Sequence, residues 1–147
     1  MTVHASAREN GLLIRTLAEF RFELRQFLHF SEQAAMATGL HPQQHQLLLQ
    51  VAGAPDTATV TIAYAAERLG LKHNSAVELV DRSEREGLLT RMEDASDRRR
   101  AILRITRKGN QVLDRLAGEH GRELMVAAPR LVRTLEHIRL HAGSGAR

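Results

Sequence analysis

Two short helical segments joined by about three residues constrain the fold more than any other part of the sequence. The first, IAYAAERLG, has Thr61 as a suitable N-cap and Gly70 as its end. The second, LKHNSAVELVDRSEREG, predicts a helix over residues 73–86 that ends at Gly87. Such a short connection is the signature of a helix-turn-helix, so helices 62–69 and 73–86 are predicted to form one.

A β-hairpin is predicted directly after the second helix. The segments LLTRME and RAILRIT are joined by DASDRR, and in the second one side chains of opposite character alternate, which is typical of a strand. Residues 97–108 contain six basic side chains and one acidic side chain, a local charge of +5, whereas the whole chain has a net charge of +4. The basic residues are therefore concentrated in the hairpin. The sequence predicts a mainly α fold with a small β-hairpin, a winged helix-turn-helix.

The three consecutive arginines of the hairpin suit contacts with nucleic acid. Arg98, Arg99 and Arg100 are positioned for phosphates or for a narrow minor groove, both of which attract cations. Asp97 stands where its carboxylate can hold Arg99 in an extended rotamer by a paired hydrogen bond. An isolated basic triplet is more simply explained as a solvated turn, but its position after a helix-turn-helix favours DNA.

The exposed side of the second helix supplies the other predicted DNA contacts. Ala76, Leu79 and Val80 fall on one helical face and are expected to pack inward, with Val77 at its edge. A helix of this size fits the major groove, and its first turn reaches the base edges. The predicted contact residues of this helix are Lys72, His73, Asn74, Ser75, Glu78 and Arg82.

Long helices are predicted on both sides of this region. Residues 11–37 form one helix with an apolar stripe at 4-3-4-3 spacing: Leu13, Leu17, Phe20, Leu24, Phe27, Ser31 and Ala34. So wide a stripe requires more than one neighbour, and a second copy of the chain is one candidate. PQQHQLLLQVAG predicts a short helix. Thr106 is predicted to cap a helix to about residue 126, Pro129 to open a last helix ending near His141, and AGSGAR to fray.

Two stretches, ERLGLKHNSAVELVDRSEREGLLTR and DASDRRRAILRITRKG, resemble the MarR-type family of transcriptional regulators. The residues that match the family's wing pattern are Asp97, Arg99, Ile105, Thr106, Lys108 and Gly109. The resemblance implies a homodimer that is joined mainly through its first and last helices. It also implies that Arg99 enters the minor groove and that residues 73–78 lie in the major groove.

The resemblance further implies how the chain is organised and what it does. One winged-helix domain, residues 1–147, would have dimerisation helices at about 8–37 and 107–142 and a DNA-binding region at about 41–106. We expect a sequence-specific, ligand-responsive repressor that binds a near-palindromic double-stranded site with half-sites about 10 bp apart. Ser83 and Ala65 depart from the family, which usually has leucine at both positions, and Tyr64 replaces a polar residue. Each smaller side chain removes buried surface at a cost of about 1–3 kcal/mol unless a neighbour fills the space.

An effector site is predicted on the first helix. Arg21, Arg25 and His29 lie beside Phe22 and Phe30 in the sequence pattern, a combination that suits a small aromatic or amphipathic acid. The alternative is that the phenylalanines belong to the core and the dimer seam while the arginines are solvated.

Two histidine pairs have the spacing of metal ligands on a helix. His41 and His45 are four residues apart, as are His137 and His141, and Glu32 or His29 is a candidate third ligand for the first pair. A metal-sensing regulator is therefore an alternative. Histidines on helix surfaces are the simpler explanation, so no metal site is predicted.

Several classes of protein are excluded or disfavoured by what the sequence lacks. It contains no cysteine, which excludes disulfides and thiolate zinc sites. No apolar run approaches the ~20 residues of a membrane span, and the first ten residues lack a signal pattern, so a cytoplasmic protein is expected. The sequence contains no nucleophile motif and no glycine-rich phosphate loop, so it indicates neither an enzyme nor a cofactor. A winged-helix module that binds protein instead of DNA remains the alternative from another class.

Overall fold

The computed structural model describes residues 2–142, with side chains from residue 7 onward. It is a winged helix-turn-helix, mainly α with one antiparallel hairpin between a long first and a long last helix, as predicted. The elements are α1 (Thr2–Ala37), α2 (Pro42–Ala52), α3 (Ile62–Leu69), α4 (His73–Arg85), β1 (Leu89–Glu93), β2 (Ala101–Ile105) and α5 (Arg107–Ala142). The predicted tail AGSGAR begins at Ala142, and its residues beyond Ala142 lie outside the described part of the chain.

The chain forms two compact units. The head unit, residues Glu32–Gly118, contains α2, α3, α4 and the hairpin. The helical unit combines the part of α1 up to Ser31 with the part of α5 from Glu119. Both long helices therefore contribute residues to both units.

Local sequence signals set the ends of the short helices. Thr61 caps α3 by accepting a hydrogen bond from the backbone N of Tyr64 (3.1 Å), as predicted. Gly70 ends α3 in the left-handed conformation with φ 64°, which glycine adopts without a steric penalty. Gly87 ends the following helix in the same way, with φ 73°. The tight turn between α3 and α4 therefore forms at Gly70, as the sequence predicted.

The core of the head unit lies between these helices and the hairpin. Its largest fully buried apolar side chains are Leu47, Leu48, Val80, Leu88, Leu89 and Leu116. β1 and β2 pair antiparallel with Leu89 opposite Ile105 and Arg91 opposite Leu103. The backbone N of Leu103 also donates to the O of Val60 (2.7 Å), which attaches the hairpin to the segment before α3.

The residues that depart from the family pattern lie inside this core. Ser83 is fully buried, and its hydroxyl donates to the carbonyl of Leu79 one turn earlier (2.8 Å). Ala65 is also fully buried, whereas Tyr64 is only partly buried. The Ser83 hydroxyl is therefore satisfied within its own helix and needs no partner from the core.

The prediction that Pro129 separates two helices is wrong, because α5 is continuous from Arg107 to Ala142. A proline inside a helix removes one backbone donor and crowds the preceding turn, but tertiary contacts can hold the helix together. Here residues on both sides of Pro129 lie beside α1 within the helical unit. Ala127 is buried and lines a cavity together with Phe27 of α1, and Arg130 Nε lies 3.8 Å from Glu23 Oε2.

The helical unit packs along only part of the predicted stripe. Ser31 is buried and its hydroxyl lies 2.7 Å from His120 Nε2, while Phe27 meets the same imidazole edge to face. Leu17, also in the stripe, is exposed in the single chain. Further large apolar side chains are exposed on both helices of this unit: Leu12, Ile14, Phe22, Leu28, Met125, Val126, Val132, Leu135 and Leu140. The helix α1 also begins at Thr2, earlier than the predicted start at residues 8–11.

Candidate nucleic-acid interface

The start of α4 presents polar side chains to solvent and apolar ones to the core. Ala76, Leu79 and Val80 are buried, as predicted from their spacing. The predicted contact residues of this helix are all exposed: Lys72, His73, Asn74, Ser75, Glu78 and Arg82. Lys72 occupies the N-cap position without a capping hydrogen bond from its side chain. Backbone N–H groups of the first turn are then free to donate to an external acceptor such as a phosphate.

A polar cavity of about 560 Å³ lies beside α4 within the head unit. Its lining includes Ser75, Glu78 and Arg82 from α4, and His41 and Gln43 from the start of α2. No sequence pattern groups His41 and Gln43 with α4, because they lie more than thirty residues away in the chain. Their position next to predicted contact residues adds the start of α2 to the candidate surface.

The wing is defined as β1, β2 and the loop 94–100 between them. Its three arginines differ in the exposure and the ion pairing of their side chains. Arg98 is exposed, and no ion pair involving it is found in the described part of the chain. Arg99 has 94% of its side chain accessible. Arg100 is bound within the loop, since its Nε donates to Asp94 Oδ2 at 2.6 Å. The sequence did not distinguish these three residues.

Two aspartates shape the loop of the wing. Asp97 Oδ1 accepts hydrogen bonds from the backbone N of Arg99 (3.0 Å) and from its Nε (3.5 Å), the pairing expected from the sequence. Asp94 was not singled out, although its side chain is almost fully buried and accepts from both the N and the Oγ of Ser96. These hydrogen bonds, together with the Arg100 guanidinium, lower the pKa of Asp94 to about 2. Asp94 is therefore ionised at any ordinary working pH.

Arg91 connects the base of the wing to α4. Its guanidinium donates to the carboxylate of Asp81, and its backbone N donates to Glu84 Oε2 (3.1 Å). Both acceptors lie on α4, so the strand that leads into the loop is fastened to the helix that carries the predicted major-groove residues.

A second connection joins α2 to the end of α4. The fully buried Gln44 accepts from the backbone N of His41 (2.9 Å) and donates through Nε2 to Glu86 Oε2 (2.8 Å). Glu86 also pairs with Arg82 Nε at 3.4 Å. The hydrogen bond from Gln44, with smaller contributions from Arg82 and Lys108, lowers the pKa of Glu86.

The predicted effector residues lie together on one exposed face of α1. Arg21, Arg25 and His29 follow one another at intervals of four residues and are all solvent-exposed. A cavity of about 470 Å³ in the helical unit is lined by Phe30 with Glu119, Arg122 and Glu123. None of the three predicted residues is among those lining residues, and the role of this face stays a prediction.

The histidine pairs are engaged in local contacts. His41 Nδ1 accepts from the backbone N of Gln43 (3.2 Å) and caps α2, and His45 is buried. The rings of His137 and His141 stack at 4.3 Å, and His141 Nδ1 lies 2.8 Å from the carbonyl O of His137. Between residues 2 and 142 no group of three histidine, aspartate or glutamate side chains is placed to hold a metal ion. Over the same range, no helix is both long enough and apolar enough to span a bilayer.

Comparison with known proteins relates one part of the chain to a known family. The sequence model of the MarR family matches residues 38–100, which cover α2, α3, α4 and most of the wing. This part of the chain is therefore similar to the MarR family, in agreement with the resemblance seen in the sequence. No curated protein sequence shows significant similarity to it.

Solved structures of MarR-type regulators share its fold at low sequence identity. A MarR family transcription regulator superposes with a TM-score of 0.72 at 16% identity, covering 97% of this chain and 99% of the other. A mutant of S. aureus MepR bound to an oligodeoxyribonucleotide gives 0.63 at 17% identity, covering 85% and 91%. Mutant E. coli MarR complexed with operator DNA gives 0.66 at 16% identity, covering 83% and 89%.

Proposed function

We propose that this chain is a regulator of the MarR family, which controls transcription by binding double-stranded DNA sequence-specifically as a homodimer. The observation that supports this most is the pairing, in one compact unit, of the exposed first turn of α4 with a wing whose tip presents Arg98 and Arg99. A helix start of this kind donates to base edges and phosphates, and arginines at a hairpin tip suit phosphates or a narrow minor groove. Two of the structural neighbours described above were solved with DNA.

Within this proposal each part of the interface has a distinct task. Residues 73–78 contact bases in the major groove, with Asn74 and Ser75 as the principal donors and acceptors. Arg82 contacts the phosphate backbone, and Arg98 and Arg99 contact the flanking minor groove or its phosphates. Arg100, whose guanidinium is bound by Asp94, makes no direct contact with DNA.

The homodimer is proposed on the basis of the apolar surface of the helical unit. Met125 and Val126 are 80% and 66% exposed, and Phe22 and Leu28 are also exposed. Large apolar side chains grouped on two neighbouring helices are typical of a surface that another protein covers. In the dimer, residues of about 8–37 and 107–142 form the interface and residues of about 41–106 bind DNA. Two such regions require a near-palindromic site with half-sites about one helical turn apart.

A repressor that responds to a ligand is the form of regulation we propose. A dimer seated on a promoter excludes other proteins from the same DNA, and a small aromatic or amphipathic acid bound by Arg21, Arg25 and His29 would change the affinity for DNA. The proposal includes no enzymatic activity and no cofactor, and it places the protein in the cytoplasm with the DNA that it binds.

Selection of bound sequences from a random duplex pool, followed by fluorescence anisotropy on the selected duplex, tests the proposal. We expect a near-palindromic consensus and an affinity that falls steeply as the salt concentration rises. Asn74→Ala and Ser75→Ala should change which bases are preferred within the half-site, because they remove direct contacts with base edges. Failure to associate with any duplex at low salt would contradict the proposal and leave a module that binds protein.

A further inference from the structure

The loop of the wing contains two aspartate–arginine pairs that differ in what they hold. Asp97 pairs with Arg99, the residue two positions later, and leaves most of that side chain in solvent. Asp94 pairs with Arg100, six positions later, and only 7% of the Asp94 side chain remains accessible. The first pair is local, whereas the second joins the two ends of the loop.

Asp94 accepts three hydrogen bonds that together close the loop at its base. Its Oδ1 accepts from the backbone N of Ser96 at 2.9 Å and from Ser96 Oγ at 2.7 Å. Its Oδ2 accepts from Arg100 Nε at 2.6 Å. A carboxylate that binds the chain on both sides of the tip restricts the conformations of the residues between them.

The residues restricted in this way include the two arginines at the tip of the loop. Arg98 and Arg99 lie at the tip, between Ser96 and Arg100, and both are exposed. A flexible tip would have to become ordered on binding, and ordering side chains and loops at an interface reduces affinity. A tip that is already ordered avoids much of that loss.

We propose that Asp94 is a positioning residue for DNA binding, which acts by bridging Ser96 and Arg100 so that Arg98 and Arg99 meet the duplex in a fixed arrangement. This inference rests on the proposed function. Arg100 acts inside the loop, as the partner of Asp94, and not on phosphates.

The sign of the effect separates this role from simple electrostatics. An aspartate near DNA repels phosphates, so its neutralisation by Asp94→Asn would, by charge alone, strengthen binding. In the positioning role, Asp94→Asn breaks the bridge between Ser96 and Arg100 and therefore weakens DNA binding. Glu93→Gln is the matched control, because Glu93 is the exposed neighbour of Asp94 and the substitution removes the same charge.

The test is a set of anisotropy titrations on one selected duplex at several salt concentrations. Asp94→Asn should weaken binding about fivefold to tenfold, a size typical of the ordering of one or two side chains. Glu93→Gln should bind as tightly as the wild type or more tightly. The slope of log affinity against log salt should be unchanged by Asp94→Asn, whereas Arg98→Ala combined with Arg99→Ala removes two cations from each subunit and should reduce it by about 4 in the dimer.

A double-mutant cycle then shows through which residues Asp94 acts. In the background that lacks both Arg98 and Arg99 side chains, Asp94→Asn should weaken binding no further. Arg100→Gln, which breaks the bridge but leaves the Ser96 hydrogen bonds, should reproduce part of the weakening with the salt slope unchanged. It also serves as the second variant if Asp94→Asn proves unstable in thermal unfolding.

Three results would overturn the inference. The first is that Asp94→Asn and Arg100→Gln both bind the duplex as tightly as the wild type or more tightly. The second is that Asp94→Asn weakens binding by the same factor whether or not the Arg98 and Arg99 side chains are present. A salt slope reduced by about 2 in Arg100→Gln, one for each subunit, would show that Arg100 contacts a phosphate directly. Wild-type protein that binds no duplex would defeat the proposed function as well, whereas binding that depends on Arg99 but not on Asp94 would defeat this inference alone.

Discussion

Gly109, in the first turn of α5, illustrates how one small residue fixes the junction between the wing and the last helix. It is buried, and a Cβ at this position would overlap the carbonyl O of Leu88 and lie 2.7 Å from Ile105 Cγ1. The same Leu88 carbonyl accepts from the backbone N of Thr106 (3.1 Å). The hydroxyl of Thr106 donates to the O of Gly87 (2.6 Å) and accepts from the N of Gly109 (3.1 Å). The Thr106, Lys108 and Gly109 matches to the family pattern thus have a structural explanation, since Lys108 Nζ also donates to the O of Glu86 (2.8 Å).

We predict that Gly109→Ala lowers the free energy of unfolding by about 2–3 kcal/mol, because the added methyl group meets backbone atoms that cannot move without breaking the junction. Gly121→Ala is the control, since it lies in the same helix with open space around the added Cβ. That change should leave stability unaltered or raise it by up to about 1 kcal/mol. Urea unfolding of both variants measures the difference, and equal stabilities would refute the steric explanation.

At the scale of whole elements, α2 and α4 are coupled through the side chain of Gln44. The glutamine completes the N-terminal cap of α2 and at the same time hydrogen-bonds Glu86, which follows the end of α4. Because Gln44 is fully buried, both of its polar groups need these partners. The orientation of the helix that carries the predicted base contacts therefore depends on a residue of α2.

The coupling predicts a pH-dependent effect of Gln44→Met. Since the folded pKa of Glu86 is lowered, its ionised form stabilises the native state above the ordinary glutamate pKa of about 4.3, and that contribution is lost as the pH falls through the lowered value. The stability difference between wild type and variant should therefore be larger at pH 6 than at pH 3. Urea unfolding at both values tests this, with the exposed Gln43→Met as control. An equal difference at the two pH values would show that the bond to Glu86 is not responsible.

Sequence patterns predicted the helices and strands more accurately than they predicted the contacts between these elements. The Thr61 cap, the Gly70 turn and the alternation in β2 depend on neighbouring residues, so each was predictable from the sequence. The continuity of α5 through Pro129 depends on contacts with α1, and the Asp94–Arg100 bridge depends on which of several nearby acids and arginines meet in the folded loop. Such choices are made by tertiary geometry, which neither spacing nor composition specifies.

For the molecule as a whole, the exposed apolar side chains of the helical unit lead to a prediction about assembly. We expect the wild-type protein to sediment as a dimer at micromolar concentration. Met125→Asp should shift it toward the monomer, because a charge in a covered apolar surface is strongly unfavourable. Since Met125 is 80% exposed in the single chain, the substitution should not unfold the protomer.

Met92→Asp, at an exposed position of β1 in the head unit, is the same substitution outside the proposed interface and should leave the dimer intact. A monomeric wild type, or a Met125→Asp variant that remains a dimer, would contradict the assignment of this surface. Circular dichroism of each variant verifies that helix content is retained.

The central claim is that the tip of the wing and the start of α4 contact one duplex, and the salt dependence of binding by Arg99→Ala tests it most directly. Arg99 is 94% exposed, so its removal leaves the fold unchanged, and Arg122→Ala in the helical unit provides the same change of charge elsewhere. We predict that Arg99→Ala weakens binding by about tenfold or more and reduces the salt slope by about 2, one for each subunit of the dimer, while Arg122→Ala changes neither. Equal affinities and equal slopes for the wild type and Arg99→Ala would contradict the account.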